Sequence, residues 1–330
     1  MNNSFLRKNW FIVLKSSSLK HKPESITLFD TQIVLFRNKG KVIALKDQCL
    51  HRGVPLSKGK LCDKGLVCKY HGWIYNTDGV VENIPGFISF SEHHECKLKK
   101  YDVLEKGHYI WVRLEKNNTM PFFSDVHDKY PYFTQSMTVF GQMEDILENF
   151  LDPMHTHFVH TGVVRSGHSS KRKVCHVTVD NIEQGYEAVY KEEGQQTGII
   201  SSLFGRSIIE SRGRIISPCV VELIYASKLH KELVVTIHAR PNEFNEVKLY
   251  IRTYLRPTKW PFWLKAIPLI MFQWLVGYQD KKIIECQYRN INNDSGFSPM
   301  NTKIDFMRTP IINVLNDNIL QHHSEYKFLV

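Results

Sequence analysis

The chain has 330 residues, 42% hydrophobic and 23% charged, an ordinary globular composition that excludes global disorder and leaves room for two domains. Its formal net charge of +10 is scattered, the densest run being Lys171-Arg172-Lys173, and no nucleic-acid-binding signature accompanies it, so no nucleic-acid partner is expected. Seven cysteines and an opening MNNSFLRKNW without an apolar signal region exclude a secreted disulfide scaffold and point to a reducing cytoplasm.

From residue 8 to 115 the pattern is short β-rich runs punctuated by turn signals. TQIVLFRNKGKVIALKD predicts two strands joined at Asn38-Lys39-Gly40, WIYNTDGVVE a hairpin turning at Asp78-Gly79, and YIWVRL over 109–114 a further strand. We assign 8–115 to one all-β domain. Within it lies CLHRGVPLSKGKLCDKGLVCKYHGW, with Cys49-x-His51 on one side and Cys68-x-x-His71 on the other. Two thiolates and two imidazoles on two tight loops suit a tetrahedral zinc, or a [2Fe–2S] cluster in which histidines replace cysteines on one iron. A zinc finger more often pairs like residues, whereas here each loop supplies one sulfur and one nitrogen.

At these residues the chain resembles the Rieske proteins, whose C-x-H and C-x₂-H loops are likewise followed by Gly-Trp, here Gly72-Trp73. The high-potential respiratory type adds a cysteine to each loop. Those positions carry Val54 and Tyr70, a departure that points to the lower-potential type of oxygenases and ferredoxins. Cys62, Cys96, Cys175, Cys219 and Cys286 show no paired ligand spacing and are expected as free buried thiols.

After the polar link EKNNTMPFFSD, residues 120–330 form a second domain of mixed type. The helical run GQMEDILENFL precedes alternating segments such as ELVVTIHAR and VKLYIRTYLR, and helices follow, so an α+β fold with an antiparallel sheet is expected. Glu144 and Glu148 on the first helix are expected on a solvated face. The helix leads into NFLDPMHTHFVHTG, where His155, His157 and His160 crowd behind Asp152, a cluster that a bound metal would explain. On a regular helix His157 and His160 share a face, while His155 and His160 lie about 140° apart. Pro153 removes a backbone donor and crowds the Asn149 carbonyl, a local cause for distortion just before His155.

The stretch WPFWLKAIPLIMFQWLVGY, 260–278, carries Lys265, Gln273 and two interior prolines. It fails as a simple transmembrane span and reads as a pocket-lining helix or an interfacial membrane contact. In YQDKKIIECQYRNI, Asp280, Ile284, Gln287 and Ile291 share one helical stripe, with Lys281, Lys282 and Glu285 turned away. A carboxylate on an otherwise apolar face needs a partner, and a cation is a good one. Asp294, among the turn formers of NNDSG, is the alternative. The doublets His93-His94 and His322-His323 are expected to be solvated.

Asn149-x-x-Asp152-x-x-His155-x₄-His160 resembles the N-x-x-D-x-x-H-x₄-H motif of the Rieske non-haem iron oxygenases, and Asp280, Glu285 and Gln287 match their distal D-x₄-E-x-Q segment. The resemblance implies an all-β Rieske domain holding a [2Fe–2S] cluster on Cys49, His51, Cys68 and His71. It also implies a helix-grip (START/Bet v1-like) catalytic domain with mononuclear Fe(II) on His155, His160 and Asp280. Asp152 would bridge to His71 of a neighbouring subunit in a homotrimer, accepting from two metal-bound imidazoles.

The implied activity is that of the monooxygenase and demethylase branch. O₂ would serve to hydroxylate or oxidatively demethylate a fairly large, apolar, ring-containing substrate. Electrons would come from NAD(P)H through a separate ferredoxin or flavin reductase, since the chain has no G-x-G-x-x-G fingerprint. Arg52, Lys58, Lys60, Lys64 and Lys69 form the expected docking face for an acidic ferredoxin. The rival reading is an electron carrier with a non-catalytic ligand-binding domain, which has no need of Asp152, His155, His160 and Asp280. The expected location is the cytoplasm, free or peripherally on a membrane.

Overall fold

The computed structural model describes residues 3–86, 96–164, 173–193, 208–242, 245–294 and 296–329. The chain divides into two compact units, one essentially Ser4–Pro121 and the other Phe122–Arg240 with Asn245–Val330. His93, His94, Lys171 and Arg172 lie outside the described residues.

The first unit opens with the short helix α1 (Asn3–Arg7) and continues in β1 (Phe11–Lys15), β2 (Glu24–Leu28), β3 (Thr31–Asn38), β4 (Lys41–Lys46), β5 (Lys60–Cys62), β6 (Gly65–Val67), β7 (Ile74–Tyr75), β8 (Val81–Asn83), β9 (Asp102–Lys106) and β10 (Tyr109–Arg113). These strands form the antiparallel sheets β1-β10-β9, β2-β3-β4 and β5-β6-β7-β8. The β3–β4 hairpin pairs Asn38 with Lys41 and turns on Lys39 and Gly40, both at positive φ. That is the primed two-residue turn whose twist matches the strands it joins. At the β7–β8 turn, Asn76 Oδ1 accepts the N–H groups of Asp78 and Val80.

Val34, Phe36, Ile43 and Leu45 of the hairpin are buried with Leu56, Leu66 and Tyr75, and Cys49 and Cys68 belong to the same cluster. Each large apolar side chain so buried contributes roughly 1.5–3 kcal/mol. The two cysteine loops therefore rest directly on the stiffest part of this unit. Asp47 anchors the first loop, its carboxylate accepting Ser57 N–H, Ser57 Oγ–H and Ser25 Oγ–H at 2.7, 2.6 and 2.8 Å.

The second unit is built on an eight-stranded antiparallel sheet, with strands β11 (Tyr132–Phe140), β12 (Val174–Ile182), β13 (Gly185–Glu192), β14 (Glu210–Ile216), β15 (Val220–Ala226), β16 (Lys231–Pro241), β17 (Glu246–Leu255) and β18 (His323–Leu329). Their order is β11-β17-β16-β15-β14-β13-β12-β18. Helices α2 (Met143–Leu151), α3 (Thr156–Val159), α4 (Phe262–Asn293) and α5 (Arg308–Leu315) complete it. α2 packs on β14 and β15, and α4 packs along β11. The long helix against an antiparallel sheet is the α+β, helix-grip arrangement expected.

Several details differ from the sequence reading. β16 is buried on both faces, because Val126, Ile224, Val234 and Tyr254 form a second core behind it. Of the α4 stripe, Asp280 and Ile284 are buried, but Gln287 is exposed and borders an open cavity. Cys175 and Cys219 are buried free thiols and Cys62 and Cys96 half-buried, whereas Cys286 is exposed on α4. Glu144 and Glu148 are not solvated: each has an oxygen shut off from water, and Glu148 pairs with Arg308 of α5. No described helix is long and apolar enough to cross a membrane.

Candidate metal centres

The two cysteine loops share one hydrogen-bond pattern. Gly53 N–H donates to the Cys49 carbonyl and Gly72 N–H to that of Cys68, at 2.9 and 3.1 Å. Cys49 N–H donates to the Val54 carbonyl and Cys68 N–H to that of Trp73, at 2.9 and 2.8 Å. Gly53 and Gly72 sit at φ +71° and +74°, a conformation costly for other residues, so the tight return after each histidine depends on them. Val54 and Tyr70, where a respiratory protein has cysteines, are thus a backbone acceptor and an exposed ring.

Cys49 and Cys68 are buried, and the His51 and His71 rings stand 4.5 Å apart. Trp73 stacks on His51 at 5.0 Å and holds its plane. Desolvation, with His71 alongside, keeps His51 below the ordinary imidazole range. Burial pushes the Cys68 thiol up, so its ionised form needs a nearby cation. Tyr75 Oη lies 3.2 Å from Cys49 Sγ and accepts Leu50 N–H, and burial lifts its hydroxyl well above the ordinary phenol range, keeping it protonated. His51 Nδ1 is buried without a hydrogen-bond partner. Two thiols, two imidazoles and an orphaned ring nitrogen fit a [2Fe–2S] cluster with mixed ligation.

In the second unit the chain breaks where Pro153 demands it. α2 ends at Leu151, and Asp152, preceding the proline, is extended at φ −86°, ψ 116°. The chain re-enters helical conformation at His155, the residue before α3. Asp152 itself stabilises the break, Oδ1 accepting Met154 N–H at 2.6 Å and Oδ2 accepting His155 N–H at 3.1 Å. This interruption removes the objection that helical spacing raises against His155 and His160, whose rings now stand 5.3 Å apart.

Asp280, just past the middle of α4, meets them. Its Oδ1 lies 3.0 Å from His160 Nε2 and 3.6 Å from His155 Nε2, and one ligand atom from each residue falls within 4.8 Å of the others. Neighbouring ligands on an ion about 2.1 Å away lie about 3.0 Å apart, which is close to these separations. His160 Nε2 and Asp280 Oδ1 are buried and lack a hydrogen-bond partner of acceptable geometry. Burial pushes the His160 imidazole down, yet Asp280 and Gln279 more than offset it, leaving it raised. A positive charge between His160 and Asp280 is what the surroundings favour, and a divalent metal supplies it. Two imidazoles and one carboxylate form the facial set used by non-haem Fe(II).

His157 is outside this group; its carbonyl accepts the Thr161 hydroxyl. Asp294 caps the C-terminus of α4 and is likewise outside it. Asp152 Oδ2 stands 3.4 Å from His155 Nδ1 and so faces the ring from the side opposite Asp280. Sequence reasoning missed Gln279, whose Oε1 lies 2.9 Å from His160 Nδ1. Its position next to Asp280 was the only signal.

A cavity of about 260 Å³ opens onto the triad. Its wall follows the two-residue period of the sheet: Leu233, Val235 and Ile237 from β16, Leu223 and Tyr225 from β15, and Tyr190 and Glu192 from β13. Leu269, Phe272, Gln273 and Val276 of α4 close it. The expectation of a pocket-lining helix over 260–278 is met by one face of α4.

The Rieske [2Fe-2S] domain family matches residues 9–102. The methylxanthine N3-demethylase NdmB of Pseudomonas putida is 31% identical over 185 residues, covering 49% of this chain and 50% of that protein. The N1-demethylase NdmA of the same organism is 26% identical over 202 residues, 56% of each. The chain thus aligns with about half the length of these curated relatives. Among solved structures, P. putida CBB5 NdmA with caffeine superposes with a TM-score of 0.78 at 22% identity, covering 94% of this chain and 90% of that one. Dicamba monooxygenase bound to dicamba gives 0.78 at 19%, covering 95% and 97%. The chain therefore carries a Rieske [2Fe-2S] domain over residues 9–102 and shares the fold of these solved oxygenase structures.

Proposed function

We propose that the chain is the catalytic subunit of a Rieske monooxygenase that hydroxylates or oxidatively demethylates a compact, mainly apolar ring compound. The observation that carries this reading is the convergence of His155, His160 and Asp280 at one end of an apolar cavity, in a chain that also has a Rieske domain. When bound, iron at the triad supplies O₂ activation, with electrons delivered singly by the cluster. The two Nε2 atoms and the Asp280 carboxylate would hold such an ion, at a place that borders the cavity where a substrate would bind. Asp152 Oδ2 lies 3.4 Å from His155 Nδ1 without a hydrogen bond, and its negative charge there favours the tautomer that carries the proton on Nδ1 and presents Nε2. By resemblance it also bridges to the partner subunit's cluster in a homotrimer.

The cavity lies just below the roughly 300–1,000 Å³ typical of small-molecule sites, which favours a one- or two-ring substrate over the larger one expected. Gln273, Tyr225 and Arg212 give it polar points against an aliphatic wall. The relatives named for methylxanthines and dicamba support a methylated ring compound. Arg52, Lys58, Lys60, Lys64 and Lys69 are all exposed around the cysteine loops, a basic face suited to an acidic ferredoxin or a flavin reductase carrying electrons from NAD(P)H.

The test supplies such a reductase and follows NAD(P)H and O₂ consumption and formaldehyde release over a panel of methylated ring compounds. Substrate-dependent O₂ uptake is expected. A cluster that is reduced normally but never couples to O₂ uptake with any compound would identify an electron carrier instead.

A further inference from the structure

We infer that the outward face of α4 is a docking surface for an anionic lipid bilayer. This rests on the helix surface alone and not on the oxygenase reading. At about 100° per residue, Trp263, Ile267, Met271, Trp274 and Tyr278 fall in one stripe about 80° wide. All are exposed, Trp263, Met271 and Trp274 at 57%, 68% and 67%, and Trp260 extends the stripe at 70%. With Leu264 and Leu275 the patch exposes on the order of 800 Å², above the roughly 300–600 Å² of the largest patch on an ordinary monomer. The Trp274 and Tyr278 rings stack at 5.9 Å and 11°, forming a preset aromatic ledge.

Charge identifies the occupant. Beyond Tyr278 the same face continues in Lys281, Lys282 and Arg289, and Lys259 stands before its other end. The one acid among them, Glu285, is paired with Lys281. A protein interface is rimmed by polar groups of mixed kind, whereas a ridge of Trp and Tyr between basic ends matches the headgroup region of an anionic membrane. The helix lies in the interface and does not span it. Its inward face lines the cavity, so an apolar compound dissolved in the bilayer would be concentrated beside the site.

The test is co-sedimentation of the full chain with phosphatidylcholine vesicles containing about a third phosphatidylglycerol. Salt-sensitive binding and a blue shift of tryptophan emission are expected. W263S/M271S/W274S, which spares every cavity-lining residue, should bind about tenfold more weakly or worse while keeping cluster absorption and unfolding behaviour. K281E/K282E should lose binding chiefly at low salt, and brominated lipids should quench the wild-type emission, which keeps the test valid if the triple variant misfolds. Absent binding, or vesicle binding insensitive to both variants, would overturn the proposal. So would a self-association that the triple variant abolishes without any vesicle binding, since a second copy would then cover the face.

Discussion

Replacing Glu148 with glutamine should flatten part of the dependence of stability on pH. Glu148 points from α2 into a partly dry site, with its side chain 22% exposed and its Oε2 2.9 Å from Arg308 Nη1. Burial raises its pKa from 4.5 to about 7, against the pull of Arg308. A raised acid favours its neutral form in the native state. Its stabilising contribution is therefore complete below about pH 4.5 and is lost as pH rises through 7. At 1.36 kcal/mol per pH unit the ceiling is about 3 kcal/mol, of which about 2 falls between pH 5 and 7. Glutamine cannot ionise, and Arg308 keeps Asp145 as its partner, so no buried charge is stranded. Urea unfolding of wild type and E148Q, taken on the transition of the second unit at pH 5, 6, 7 and 8, gives the difference directly. Wild type should lose stability relative to the variant by about 2 kcal/mol from pH 5 to 7. Parallel curves would show that Arg308 already holds Glu148 ionised, and would refute the reasoning.

H155A should lose the mononuclear iron and H157A should retain it, as read by metal analysis; the reverse would restore the pair that regular helical spacing favours. Gln279→Leu should weaken iron binding about 10–100-fold by freeing the His160 ring, with the cluster spectrum unchanged. Tyr75→Phe removes a hydrogen bond to Cys49 sulfur and should lower the cluster's midpoint potential while preserving its absorption, as measured by redox titration.

What could be read in advance was local. The Lys39-Gly40 turn, the two cysteine loops and the break at Pro153 each depend on a few neighbouring residues, and the chain there behaves as those residues require. What escaped was set by distant partners. Glu148 looked solvated because Arg308, 160 residues away, is invisible to helical periodicity. Gln287 and Cys286 were misplaced because the buried stripe of α4 stops at Ile284. The double-sided burial of β16 comes from the segment before β11, which carries no strand signal of its own. The meeting of His155 with His160 and Asp280 lay between these cases: spacing alone argued for His157, and only the proline and the resemblance pointed elsewhere.

Iron counting, beside the visible spectrum, tests the central claim most directly. The account predicts about three irons per chain in the wild type and about two in Asp280→Ala, with the cluster absorption identical in both. Two irons in the wild type, unchanged by the substitution, would contradict it.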